Sequence, residues 1–157
     1  MPQILIVAYG NPMRCDDGVA WRAAEILEKD FHPPDVQILR LHQLTPELAD
    51  TVSRFQRVIF VDAASAEQSL PGEIRIEELP AADPNDPARF SHVLSPQTVV
   101  VLAAKLYGAK LQAFLATVTG ENFDHGDSLS LPVAAALPAL VARVEALVQH
   151  LMSTAIR

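Results

Sequence analysis

Short apolar runs alternate with longer amphipathic segments along this chain of 157 residues. The first run, Gln3–Tyr9, is short and almost wholly apolar, which predicts a strand buried on both faces. The turn Gly10-Asn11-Pro12 ends it, because glycine and asparagine tolerate turn conformations and proline cannot continue a ladder. A helix is then expected from Val19 to Lys29, with two adjacent aspartates at its start.

The same alternation continues to the end of the chain. Strands are predicted at Val36–Leu41, Arg57–Asp62, Glu73–Leu79 and Leu111–Thr119, and helices at Thr45–Phe55, Ser95–Tyr107 and Ser130–Met152. Thr45, Ser95 and Ser130 are expected to cap their helices, and Gly108 to close the third one. The fourth strand alternates charged and aliphatic residues and follows the third with no helix between them. It is therefore expected at a sheet edge, where it could run antiparallel.

Strands that alternate with helices predict a single domain over residues 1–157, a three-layer α/β/α sandwich around a mostly parallel sheet. In such sheets the ligand site lies outside the carboxyl ends of the strands, where the strand order reverses. If the order begins with strands two, one and three, that switch point lies between strands one and three. Asp16, Asp17 and Asp62 all follow these two strands closely.

The net charge, the cysteine count and the length of the apolar runs argue against several classes of protein. A net charge of -7 argues against non-specific binding to nucleic acid or to anionic membranes. One cysteine excludes an internal disulfide and fits a reducing compartment. The N-terminus has no basic leader, and no apolar run approaches the ~20 residues that a membrane-spanning helix needs. A cytoplasmic protein without membrane insertion is therefore predicted.

The acidic residues have a structural and a functional interpretation. One of Asp16 and Asp17 is expected to cap the first helix, which leaves the other carboxylate surplus. Asp62 could simply cap the loop that follows it. Carboxylates that meet across a cleft repel, which raises a pKa unless a shared proton or a metal lies between them. With His92, which precedes the third helix and by itself would be read as structural, they would suit a borderline divalent ion such as nickel or zinc.

Other candidates have weaker support. Cys15 could be a nucleophile, but no histidine is near it in sequence, so a small turn residue is the preferred interpretation. His42 and His125 could line the cleft and are interpreted as surface residues. The Gly10 turn lacks the G-x-G-x-x-G pattern of a dinucleotide site, and the two aspartates after it would repel phosphate.

The chain resembles the hydrogenase maturation endopeptidases, which trim a C-terminal extension from the large-subunit precursor of nickel-iron hydrogenases. The opening motif resembles their signature G-N-x-L/M-x-x-D-D/E-G, a second segment resembles their hydrophobic strand ending in Asp-Ala, and two later segments follow in order. The matching residues are Gly10-Asn11, Met13 and Asp16-Asp17-Gly18; Val58–Ala63; His92, Leu94 and Pro96; and Gly120-Glu121 with Leu129-Ser130.

This resemblance implies a five-stranded twisted sheet with one antiparallel strand, and an aspartic-type peptidase that acts once on each precursor. Asp17, Asp62 and His92 match the metal ligands of the family, and Asp16 belongs to the same motif, so these four residues are the predicted site. The nickel is expected to arrive with the precursor substrate, and no organic cofactor is expected. The competing interpretation is a non-catalytic α/β module that binds a metal or small ligand in the same cleft.

Overall fold

The computed structural model describes residues 4–67, 69–83 and 94–154. Strands and helices alternate along the chain as the apolar pattern predicts. In chain order the elements are β1 (Ile4–Tyr9), a 3-10 turn (Cys15–Gly18), α1 (Val19–Leu27), β2 (Val36–Leu41), α2 (Leu48–Val52), β3 (Arg57–Ala64), β4 (Ile74–Glu78), α3 (Pro96–Tyr107), β5 (Gln112–Thr119) and α4 (Leu131–Ser153).

The five strands form one sheet in the order β2-β1-β3-β5-β4. Strands β2, β1, β3 and β5 are parallel, and β4 pairs antiparallel with β5 at the edge. The predicted three-layer fold and its single antiparallel strand are therefore confirmed. From β1 the chain passes to β2 on one side and later to β3 on the other, so the strand order reverses between β1 and β3, as predicted.

Two hydrophobic cores cover the two faces of the sheet. Alternate residues of β1 point in opposite directions, so Ile4 and Ile6 pack with α1 and α4, whereas Leu5 and Val7 pack with α2 and α3. All four side chains are fully buried. This explains why β1 is apolar at successive positions, which is typical of a central parallel strand.

The ends of two helices differ from the prediction. Neither aspartate caps α1, because Gly18 occupies its N-cap and no side chain bonds there. The helix ends at Leu27. Helix α2 is only five residues long, and Glu47 rather than Thr45 is its N-cap. It was predicted too long because 3-10-type hydrogen bonds continue on both sides of it, such as that from the Phe55 N–H to the Val52 carbonyl (3.1 Å).

Other boundaries are set by neighbours in the fold. Strand β3 continues to Ala64 instead of ending at Asp62, because β5 runs beside it to the last residue of both strands. Ser95 caps α3 by accepting the N–H of Thr98 (3.1 Å), and Gly108 closes that helix at a φ of 65°, both as predicted.

Among the described helices, α4 has the length and apolar composition of a membrane-spanning helix. The same composition is found in core helices of globular proteins, and one such helix is weak evidence for a membrane. One face of α4 packs against the sheet as part of the core, and this face contains Val133, Leu140, Val141, Val144, Val148 and Leu151.

A candidate active site at the switch point

A tight turn after β1 brings Asp17 back to the end of that strand. Gly10 has a φ of +144°, and a Cβ there would overlap the carbonyl oxygen of Asp17. Glycine is required at this position because other residues are strained at such a φ and lack the space. The Asp17 carboxylate accepts the N–H of Asn11 at 2.7 Å, which fixes it beside the strand end.

Asp62 lies near the carboxyl end of β3, and Asp17 lies beside the end of β1 on the other side of the strand-order reversal. Asp62 and Phe60 are two positions apart in β3, so their side chains lie on the same face of the sheet, which α2 and α3 cover. Tyr9 packs on this face as well. The Tyr9 hydroxyl is hydrogen-bonded to the Asp62 carboxylate, and the charge of Asp17 acts on both groups. The charge of Asp17 thus acts across the two neighbouring strand ends on Asp62.

Burial raises the pKa of the Asp62 carboxyl to about 7. Repulsion from Asp17 also raises this pKa, whereas the hydrogen bonds from the Ala63 N–H (2.7 Å) and the Tyr9 hydroxyl oppose the rise. The pKa of Tyr9 is itself raised, first by burial and then by the two carboxylates, so its hydroxyl remains a neutral donor. The site thus combines a carboxyl that titrates near neutral pH with a fixed donor and a second acid.

Tyr9 was missed by the sequence analysis. It is the last residue of an apolar run, and the pattern of that run indicates a buried strand. The available signal was a hydroxyl-bearing side chain at the carboxyl end of a strand next to the switch point, which is where polar residues of such sheets gather.

Asp16 has a different environment from its neighbour Asp17, because its carboxylate is fully buried and accepts four hydrogen bonds. The donors are the N–H groups of Glu121 (2.8 Å), Asn122 (2.9 Å) and Ser130 (2.8 Å) and the hydroxyl of Ser130 (2.8 Å). Burial raises the pKa of Asp16, but these bonds together outweigh burial and the pKa is lowered.

Two of these bonds come from Ser130, the residue predicted to cap α4. Ser130 stands at the N-cap position, but its side chain makes no capping bond and donates to Asp16 instead. Asp16 therefore ties the 3-10 turn to the loop 121–130 and to the start of α4. In this structure Asp16 holds the turn from which Asp17 projects, and its acceptor sites are occupied by protein donors.

The loop 121–130 is also joined to the 3-10 turn through the backbone. The Cys15 N–H donates to the Gly126 carbonyl, and the Gly126 N–H donates to the Met13 carbonyl, both at 2.8 Å. Cys15 is buried with a φ of 48°, and a Cβ on Gly126 would lie 3.0 Å from its sulfur. This packing agrees with the interpretation of Cys15 as a turn residue.

His92 lies outside the described residues, so its approach to the two acids stays a prediction. Helix α3 covers the face of the sheet that bears Tyr9 and Asp62, and Leu94 packs into the core of this face. Among the described residues, no group of three or more His, Cys, Asp or Glu side chains is arranged to hold a metal ion.

His42 and His125 are both exposed, as their interpretation as surface residues requires. His42 follows β2, and its ring packs edge-on against Trp21 of α1 with 5.1 Å between ring centroids. It therefore lies towards the face of the sheet opposite to Asp62. His125 lies in the loop 121–130.

The fold and the acid pair define a three-layer α/β protein with a candidate site at a strand-order reversal. Solved structures that share this fold include hydrogenase maturation endopeptidases. The endopeptidase HybD from Escherichia coli superposes with a TM-score of 0.74 and 24% identity, covering 94% of this chain and 93% of its own. The maturation protease HybD from Thermococcus kodakarensis has a TM-score of 0.70 and 22% identity, covering 93% of this chain and 99% of its own. The maturation protease HycI from the same organism has a TM-score of 0.71 and 23% identity, covering 94% of this chain and 92% of its own.

No protein-family model matches the chain, and no curated protein matches it by sequence. At identities of 22–24% the likeness shows a shared fold. The fold that the sequence resemblance implied is thereby confirmed, and the roles of individual residues depend on the geometry of the site.

Proposed function

We propose that this protein is an endopeptidase that removes the C-terminal extension from the nickel-loaded large-subunit precursor of a nickel-iron hydrogenase. The observation that carries the proposal is the pairing of Asp17 and Asp62, with the Tyr9 hydroxyl, at the strand-order reversal of a fold shared with maturation endopeptidases. The acids lie where α/β sheets of this kind bind their ligands.

The chemistry of the pair suits a cationic substrate centre. Two carboxylates in a partly buried cleft repel each other, and a divalent ion between them would remove this repulsion. Nickel is held by the precursor and is part of the substrate. Asp17, Asp62 and His92 would supply the oxygen and nitrogen ligands that a borderline ion accepts.

With the precursor's nickel held by these residues, the scissile peptide would lie beside a Lewis acid, the nickel itself, which can polarise the peptide carbonyl group. Asp62 would bind the substrate's metal through its carboxylate, which Tyr9 orients by its hydrogen bond. Asp17 would complete the acid pair from the turn that Asp16 holds. Asp16 is assigned a positioning role, because its carboxylate is enclosed by donors and does not face the cleft.

The test is incubation of the purified protein with nickel-loaded precursor, followed by mass spectrometry of the precursor. Removal of a C-terminal peptide by the wild type, and its loss in Asp17→Asn, are expected. Tight binding without any shortening would instead favour a non-catalytic module that uses the same cleft.

A further inference from the structure

In the described part of the chain, β4 is the outermost strand of the sheet on the side of β5. A hydrogen bond fixes which of its backbone groups face β5, because the Glu73 carbonyl, one residue before the strand, accepts the N–H of Thr119 (2.9 Å). Backbone groups of successive residues point in alternate directions along a strand, so the odd-numbered positions face β5. The N–H and carbonyl groups of Ile74, Ile76 and Glu78 therefore point outward from the sheet.

Outward backbone groups at a sheet edge form a template for another strand. The Ile74 carbonyl accepts Nη1 of Arg143 at 3.3 Å, and this exposed side chain can move aside. Ile74 and Ile76 pack against the core on the α4 face and stay half-buried at the edge, whereas Arg75 and Glu77 are exposed. A partner strand would bond the outward backbone groups and cover both isoleucines.

We propose that β4 pairs antiparallel with β4 of a second copy of this chain, so that Ile76 lies opposite Ile76 of that copy at a two-fold axis. In this register Arg75 lies opposite Glu77 of the second copy, and Glu77 lies opposite its Arg75. Opposite charges that face each other across an antiparallel pair attract. The two-fold axis repeats each contact, so the strand is complementary to itself.

The charges of β4 favour this register over its two neighbours. Registers that keep the outward residues opposite one another differ by steps of two residues. A step in one direction places Arg75 opposite Arg75 and Glu73 opposite Glu77, and a step in the other places Glu77 opposite Glu77. Like charges directly opposite each other are destabilising. This match between the strand and its own sequence argues for a second copy as the partner, rather than an arbitrary extended chain.

Arg143 adds a charge pair on the α4 face of the sheet. Its guanidinium lies at the Ile74 carbonyl, and in the proposed register Ile74 is opposite Glu78 of the second copy. The Glu78 side chain shares the face of Ile74 and Ile76, because side chains two positions apart lie on the same face. One Glu78 oxygen accepts Nε2 of Gln112 (3.1 Å), which leaves the other oxygen for Arg143 of the second copy. Opposite charges would then meet on both faces of the joined sheet.

The pairing is compatible with the candidate active site and does not depend on the proposed function. Strand β5 separates β4 from β3, so the contact between copies lies about 10 Å across the sheet from the strand that bears Asp62. Because the two β4 strands are antiparallel, the carboxyl edges of the two copies point in opposite directions. Each copy would therefore present its own acid pair to a separate substrate.

The test is sedimentation over a range of protein concentrations. The variants are Arg75→Glu, Glu77→Arg and the double variant Arg75→Glu/Glu77→Arg, and melting curves establish that each is folded. Each single variant places like charges opposite each other twice in the dimer, so its dissociation constant should rise about tenfold or more. The double variant exchanges the two charges and should dimerise like the wild type. Lys29→Glu, at an exposed residue after α1, makes the same charge change as Arg75→Glu and should leave the dimer unchanged.

Loss of the dimer in both single variants, with recovery in the double variant, would support the pairing and its register. A wild type that stays monomeric up to about 100 μM would overturn the proposal and leave the edge to a strand of another protein. A dimer that neither single variant weakens would place the interface elsewhere and overturn it as well. Sedimentation needs no precursor, so these outcomes are independent of whether the protein cleaves one.

Discussion

The buried carboxyl of Asp62 should make the protein less stable at neutral pH than the same fold without that charge. Its pKa rises from 3.8 in the unfolded chain to about 7 in the folded protein. Between these values the folded state keeps a proton that the unfolded chain has already released. Stability therefore falls as the pH rises from about 4 to about 7, and it is fully reduced above that window.

The magnitude follows from the shift. About three pKa units at 1.36 kcal/mol each correspond to a penalty on the order of 4 kcal/mol above pH 7, and to none below pH 4. Asp62→Asn removes the ionisable proton but keeps an oxygen that can accept from Ala63 and Tyr9. The variant should therefore gain several kcal/mol in its free energy of unfolding at pH 8, and almost nothing at pH 4.

Urea unfolding at pH 4, 6 and 8 measures the difference between variant and wild type. The lowered pKa of Asp16 acts in the opposite direction, because the stability that it contributes is lost as the pH falls. This contribution is common to both proteins and cancels in the difference. Asp35→Asn, at an exposed aspartate, is the matched control and should shift no midpoint. An equal effect of Asp62→Asn at pH 4 and pH 8 would refute the buried-charge explanation.

Four further outcomes are expected. Asp16→Asn should lower the free energy of unfolding by about 3–5 kcal/mol in denaturant titration, because it places an N–H among buried donors; a near-neutral result would contradict its role as an anchor. Asp17→Asn should change stability by at most about 1 kcal/mol while processing nearly vanishes; normal processing would make Asp17 structural only. Gly10→Ala should destabilise by at least 1–3 kcal/mol through strain at a φ of +144°, and a wild-type melting curve would contradict this. Nickel-loaded precursor should be retained more strongly than nickel-free precursor in pull-down; equal binding and cleavage would exclude recognition of the metal.

Local periodicity was sufficient to predict the sheet. The apolar runs of β1 and β3 identify central strands, and the alternation in β4 identifies an edge, so the switch point followed from topology. That the strand ends next to Asp17 and Asp62 are neighbours could be predicted for the same reason. The position of Asp17 relative to Asp62 depends on which strand ends are neighbours and on the Gly10 turn that brings Asp17 back to the end of β1.

The properties that escaped prediction depend on partners distant in the chain. The three residues that donate to Asp16 are 105, 106 and 114 positions away, so no local pattern could separate its role from that of Asp17. Strand β3 is longer than its apolar run because β5 continues beside it. The role of Tyr9 could not be predicted because its ring packs in the core, which the apolar pattern reflects, while its hydroxyl is hydrogen-bonded to Asp62.

The two adjacent aspartates have different roles although they belong to the same turn. A 3-10 turn places Asp16 inward and Asp17 towards the cleft, and the four donors around Asp16 make it a stabilising acid. Asp62 is the opposite case, since its burial destabilises the ionised form. A site that gathers poorly solvated carboxylates needs a backbone that resists their repulsion. The bonds of Asp16 provide that resistance at the turn, so removing its charge should displace Asp17 even though Asp17 itself is unchanged.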